Sequence, residues 1–396
     1  MWLKLYSRLI SKSHHYLLRI SDRILFTLLK TMNYQSETSI AYVISPHGFG
    51  HAARASAVME AIRGRIPNIN FEIFTLVPEW FFHQSLESGY SYYPCWTDIG
   101  VVQSDPFHEN PQATADQLDS FLPFKREILI PLIDTIKRKS CRLVISDIAP
   151  LGIAAAGILK TPSVLIENFT WDWIYQSYSG VFPGLNPHIK YFEEFYNNAT
   201  VHIQTTPVCD PKFVNLTTNP VARSPHASRD LTRELLGLKK EDKVVLITMG
   251  GIEQKYQSIG QLGFSAAIKF VIPGGASTYQ VEKNVILLPH HSNIYHPDLV
   301  YASDLVVGKL GYSTVAEAFY AGIPYLFVPR DNFPETEPLG KFVHEQLNGE
   351  EISLRDFETG NWIEKLPRIF DMKSIERNEL NGAFQIAAYL EPYLKA

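Results

Sequence analysis

The stretch SPHGFGHAARA, residues 45–55, follows the apolar run IAYV and sets His47 and His51 around two glycines, Gly48 and Gly50. An imidazole at the carboxyl end of a parallel strand can act as a general base, because its proton affinity lies near neutral pH. Such a base needs an acceptor for its second ring nitrogen. The run LVISDI presents Asp147 at the end of another strand-like segment, which makes His51 and Asp147 the candidate catalytic pair. A dyad of this kind is worth about 10²–10⁴-fold in rate. Simpler roles stay open for each residue: Asp147 precedes an Ala-rich helix it could cap, and His51 could be a histidine settled at a helix start.

Gly48-Phe49-Gly50-His51-Ala52-Ala53 also fits G-x-G-x-x-A, the dinucleotide pattern. That reading requires an acid closing the next strand to hold the ribose hydroxyls. Glu72 opens the run FEIFTLV instead of closing it, and the next acid, Glu79, follows Pro78. A nicotinamide-dependent oxidoreductase is therefore the weaker alternative.

A second chemical site lies in DLVVGKLGYSTVAEAFYAGIPYLFVPR, residues 304–330. An apolar strand ends at Lys309, Gly311 allows close backbone approach, and Ser313 and Thr314 open a helix. Free N–H groups, hydroxyls and the helix dipole converge there on a phosphate. Glu317, one turn inside the helix, can reach ribose hydroxyls or serve only as a structural acid. Lys309 supplies a point charge beside the same anion.

These residues need a scaffold that brings strand ends together. From about residue 40 the chain alternates short β-rich runs with helical spacing, and a second such series begins at KVVLITMGG, residues 243–251. The pattern predicts an α/β protein with two tandem domains of parallel βαβ units, 39–205 and 243–373, joined by a Pro-, Thr- and Ser-rich linker at 206–242. A helix within 374–396 is expected to cross back to the first domain. With 396 residues, 45% hydrophobic and 19% charged, the composition suits two ordinary cores.

The net charge of −5 hides an asymmetry. Residues 1–31 carry six basic side chains against Asp22, so this part is +5 and the remainder −10. Apolar residues recur there at helical spacing, which reads as a basic amphipathic helix within an extension 1–38. Three readings follow: peripheral attachment of a cytoplasmic protein to an anionic membrane surface, docking on the protein itself, or a true start at Met32. No run of 18 apolar residues occurs. Cys95, Cys141 and Cys209 are scattered and form no CxxC pair, which argues against structural zinc or a disulfide framework. Nucleic acid is not an expected partner, since the chain beyond residue 31 is acidic.

KLGYSTVAEAFYAGIP, residues 309–324, resembles the nucleotide-sugar signature of GT-B glycosyltransferases. The HGFGH loop, the VISD strand end and NFTWDWIY, residues 168–175, resemble the glycosyltransferase-like amino-terminal part of L-arabinokinases and, more distantly, the peptidoglycan N-acetylglucosaminyltransferase and the UDP-glycosyltransferases. The resemblance spans about residues 40–390. It implies the GT-B fold, two Rossmann-like domains facing across a cleft, and an inverting transfer from a nucleotide sugar, UDP-linked, to an acceptor hydroxyl, with no cofactor and no metal. It makes His51 the base, Asp147 its partner, Gly311, Ser313 and Thr314 the pyrophosphate contacts, and Glu317 the ribose acid. Gly250 and Gly251 fall on a glycine turn near the donor phosphates, and His290 and His291 where such enzymes hold the base. Lys309 stands where many UDP-glycosyltransferases have a phosphate-binding histidine. Their sugar-binding Asp-Gln pair is missing, and RDNFPETEP offers Arg330, Asp331 and Glu335 instead. His47, Arg54, Trp171 and Trp173 are the remaining candidates for sugar or acceptor contacts, the tryptophans with a core role as the alternative. The kinase half of L-arabinokinase has no counterpart in the sequence, so sugar phosphorylation is not expected. A nucleotide-sugar-binding regulator without chemistry is the alternative from another functional class.

Overall fold

The run TSIAYVI forms β1 (Thr38–Ile44), buried along nearly its whole length, as expected of a parallel strand covered on both faces. The computed structural model describes residues 38–105, 107–250, 268–372 and 374–395. The basic segment 1–31 and Gly251 lie outside the described residues.

The first half continues with β2 (Ile69–Thr75), β3 (Tyr90–Pro94), the antiparallel pair β4 (Gln103–Asp105) and β5 (His108–Glu109), then β6 (Leu143–Asp147), β7 (Ser163–Glu167), β8 (Val201–Thr205) and β9 (Leu216–Thr218). Seven of these strands make one sheet in the order β3-β2-β1-β6-β7-β8-β9. The second half contributes β10 (Lys243–Thr248), β11 (Ile268–Pro273), β12 (Gln280–Glu282), β13 (Val285–Leu288), β14 (Leu305–Lys309), β15 (Tyr325–Val328) and β16 (Glu350–Glu351), ordered β12-β13-β11-β10-β14-β15-β16. Only β12 runs antiparallel to its neighbour among the registers of this sheet. This is the expected α/β architecture of two Rossmann-like parallel sheets. The segment read as linker is shorter than 206–242, because β9 completes the first sheet and the helix Arg229–Leu235 is anchored on the second half through Arg229 and Arg233, both paired with Asp304.

Ser39–Ala396 is a single compact unit. One buried apolar cluster runs through both halves, from Ile40 and Val58 to Val315 and Leu390. The helix Phe49–Arg65 makes this continuity possible: alanines at 52, 53, 55, 57 and 61 let neighbours approach closely. The C-terminal helix Gly382–Lys395 packs on it, with Arg65 and Glu391 paired at 2.6 Å at the rim. Burying one leucine there, such as Leu390, is worth about 1.5–3 kcal/mol. Among the described residues no helix is long and apolar enough to cross a membrane.

Two glycines matter for the site. Gly48 sits at φ +73°, a left-handed conformation that lets the loop turn into the helix carrying His51. Gly152 packs its helix so close to β1 and β6 that a Cβ would stand 2.3 Å from Ser146 Oγ and 2.9 Å from Val43.

Candidate active site

Parallel pairing of β1 with β6 puts Ile44 beside Asp147, so the loop after β1 and the end of β6 share one sheet edge, where open α/β sheets hold ligands. His51 Nδ1 lies 3.0 Å from Asp147 Oδ1. The carboxylate is fully buried and the imidazole nearly so. Asp147 does not cap the next helix: Ala149 holds that position and Pro150 fills the first turn, where its missing N–H costs nothing. Ile148, immediately after Asp147, has φ +46°, a strained conformation for a β-branched residue. The Tyr196 hydroxyl donates to its carbonyl at 2.7 Å, and its N–H bonds the Ile166 carbonyl.

Arg54, one turn beyond His51, grips the same acid. Its Nε donates to Asp147 Oδ2 at 2.9 Å, Nη2 to Oδ1 at 2.7 Å, and Nη1 to Asn168 Oδ1 at 2.6 Å. The guanidinium lies over the Tyr312 ring, 5.0 Å from its centroid. Expected as a sugar or acceptor contact, Arg54 is instead an interior residue, buried with its fork turned to a bidentate carboxylate and an amide. Burial alone would raise the Asp147 carboxyl, but the Arg54 charge, the Arg54 hydrogen bonds and the His51 contact together hold it below the usual range. An ionised Asp147 is acceptor-only, so its contact with His51 is a hydrogen bond when Nδ1 carries a proton.

A second polar group surrounds this dyad. His47 lies edge-on to Trp171 and near Phe333, at ring distances of 5.2 and 6.5 Å. Burial, then the charges of Arg330, His51 and Lys309, hold it neutral, well below its ordinary value. Arg330 pairs with Glu335 at 3.3 Å and with Glu109 at 3.5 Å, and stacks over Phe333. Asn168 Nδ2 donates to Glu335 Oε1 at 2.9 Å, linking the first half to the second. Lys309 has no carboxylate within ion-pair distance among the described residues, and burial with the charge of Arg330 brings its ammonium down to about 7. Arg330 and Glu335 are thus buried partners of each other, while Asp331 is exposed. Trp171 is fully buried and stacked on Tyr175, and Trp173 packs half-buried against the same core. For these tryptophans packing, not a stacking platform, accounts for the position.

Beside the helix that carries His51 lies a cleft of about 90 Å³, lined by Gly250, Gly274, His290, Ser313 and Thr314 from the second half and by Phe49, Trp80 and Phe81 from the first. The helix Tyr312–Ala321 begins at Gly311 with no side chain capping it, so its first N–H groups stay available to a ligand. The two walls meet closely: a Cβ on Gly50 would stand 3.9 Å from Ser313 Oγ. His291 stacks on Trp80 at 4.6 Å. Glu317 does not line the cleft. It is buried, its Oε1 taken by Arg223 and its Oε2 by His296 Nδ1 at 3.0 Å.

Several site residues were not singled out from the sequence: Asp98, Glu109, Asn168, Arg223 and His296. Asp98 is fully buried, accepts from Ser45 Oγ at 3.0 Å, and is pushed up to about 7 by burial. It sits in irregular chain between β3 and β4, where no periodicity points to it.

No family model matches the chain. It is 29% identical over 356 residues, 88% of its length, to the L-arabinokinase of Arabidopsis thaliana, and spans about a third (34%) of that protein. Among solved structures it is similar to the glycosyltransferase SnogD from Streptomyces nogalater, with TM-score 0.55 and 15% identity over 91% of this chain and 95% of that one. MurG of Acinetobacter baumannii superposes with TM-score 0.53 at 15% identity over 90% and 99% of the two chains. A UDP-glucosyltransferase from Polygonum tinctorium does so with TM-score 0.56 at 13% identity over 91% and 99%. Two parallel sheets, a cleft at their carboxyl edges and this set of neighbours establish that the chain has the GT-B fold of glycosyltransferases and resembles L-arabinokinase in sequence.

Proposed function

We propose that the protein is an inverting glycosyltransferase that moves a sugar from a nucleoside-diphosphate donor, UDP-linked, to an acceptor hydroxyl. The observation that carries this reading is the buried His51–Asp147 pair, with His51 on a helix whose Phe49 and Ala53 line a cleft and the uncapped start of the helix Tyr312–Ala321 lining its other side. His51 Nε2 takes the acceptor's hydroxyl proton as that oxygen bonds to the anomeric carbon. The bond from that carbon to the diphosphate oxygen breaks, and the nucleoside diphosphate leaves. Asp147 orients the imidazole and stabilises its protonated form. Helix N–H groups and Lys309 meet the charge that develops on the leaving diphosphate, in the place a metal ion would otherwise take.

The test pairs donor turnover with donor binding, using a panel of nucleotide sugars and hydroxyl acceptors. His51→Ala should lose turnover by about 10²-fold or more while binding donor nearly as well as the wild type. Turnover retained in that variant removes His51 from the mechanism. Donor binding without turnover by the wild type, against every acceptor and against water, points to a nucleotide-sugar-binding regulator instead.

A further inference from the structure

The crossover between the two sheets delivers one arginine to the nucleotide cleft. Arg223 is 4% exposed, and its guanidinium lies over the rings of Phe81 and Tyr295, 4.9 and 5.1 Å from their centroids. Nε and Nη2 both bond Glu317 Oε1, at 3.0 and 2.9 Å. The third nitrogen, Nη1, is buried without a hydrogen-bond partner among the described residues. Leaving such a buried donor unpaired is unfavourable, so a partner that arrives with a ligand recovers that cost.

The surroundings say what the partner is. Arg223 and His296 line the cleft, together with Ser313 and Thr314 at the helix start. Glu317, one turn further into that helix, stands behind them with both oxygens occupied. An anion is drawn to the helix start by its dipole and free N–H groups, and Arg223 therefore meets the part of the nucleotide next to the phosphates. Two aromatic rings fix the guanidinium, so little side-chain entropy is lost when it binds.

We propose that Arg223 is the residue that donates to the ribose oxygens of a bound nucleoside diphosphate, with Glu317 a positioning residue that holds Arg223 in place. The assignment rests on the nucleotide-sugar reading above. It differs from what the resemblance implies, in which Glu317 itself takes the ribose.

The experiment compares the affinities of UDP and 2′,3′-dideoxy-UDP by calorimetry for the wild type, Arg223→Lys and Glu317→Gln. The wild type should prefer UDP by about tenfold, the equivalent of one hydrogen bond to a charged donor. Arg223→Lys keeps a cation beside Glu317 but loses the fork, and its preference should shrink to about twofold with dideoxy-UDP binding little changed. Glu317→Gln still accepts from Arg223 and should keep the preference. A preference that survives in Arg223→Lys, or vanishes only in Glu317→Gln, overturns the assignment. So does equal weakening of both ligands, which places Arg223 on the phosphates, and so does a wild type that does not distinguish them. Should Arg223→Lys not fold, the double variant Arg223→Gln/Glu317→Gln removes both charges together and carries the same comparison. A wild type that binds no UDP sinks the UDP reading itself, a result distinct from all of these.

Discussion

Arg54 closes on both oxygens of Asp147, at 2.9 and 2.7 Å, while His51 approaches one of them at 3.0 Å. The acid is shared between a permanent cation and the imidazole. In a Ser-His-Asp triad the acid's charge serves the histidine alone; here Arg54 fixes the acid's orientation and its ionisation together.

Arg54→Gln should therefore change both stability and pH dependence. Removing one partner of a buried pair costs about 3–5 kcal/mol, readable as a lower urea midpoint. With Arg54 present, the Asp147 carboxyl is depressed, so the pair's stabilisation holds above the unfolded-state value and is lost only as pH falls through the lower folded one. Without Arg54, burial leads and the carboxyl rises. Asp147 then takes up its proton at higher pH, and the acid limb of kcat/KM should move upward. An unmoved limb with a lowered midpoint would give Arg54 a packing role only.

Asn168 is the joint between this cluster and the second half, accepting from Arg54 and donating to Glu335. Asn168→Ala strands a buried donor on one side and an acceptor on the other. The expected loss is about 1–3 kcal/mol per stranded group. A double-mutant cycle with Glu335→Gln should show coupling of at least about 0.5 kcal/mol; additive effects would mean that the contact does not tie the halves together.

The His51–Asp147 edge could be read from the sequence because Asp147 ends one apolar strand and His51 follows another by a short glycine-bearing loop. In parallel βαβ units strand ends gather on one edge, and the register of Ile44 with Asp147 does that here. Arg54 also left a signal, since three residues after His51 it shares the same helix face. Arg223 left none: it lies in an aperiodic crossover and meets Glu317 across 94 positions of chain. For Glu317, spacing along its helix indicated nearness to the cleft, but its orientation was decided by Arg223 and His296, two residues from other elements. Burial of Arg330 and Glu335 was equally hidden, because a charged pair reads as surface until a partner such as Asn168 is known.

Lys309 gives the last prediction. Its ammonium is brought down to about 7 by burial and by Arg330, against the opposing pull of Glu335 and Glu109. A diphosphate beside it favours the charged form and raises that value, so donor binding takes up a proton whenever the free protein has lost one. Affinity should be flat below about pH 7 and fall as pH rises above it, until the higher value of the complex is reached. UDP-glucose is the suitable probe, because its diphosphate does not titrate in this range. Calorimetry in two buffers of different ionisation enthalpy should find net proton uptake near pH 8 in the wild type. Lys309→Met should bind more weakly, with affinity independent of pH from 6 to 9. If the wild type shows no uptake, or if the variant keeps the pH dependence, another group meets the diphosphate charge and Lys309 is not its partner.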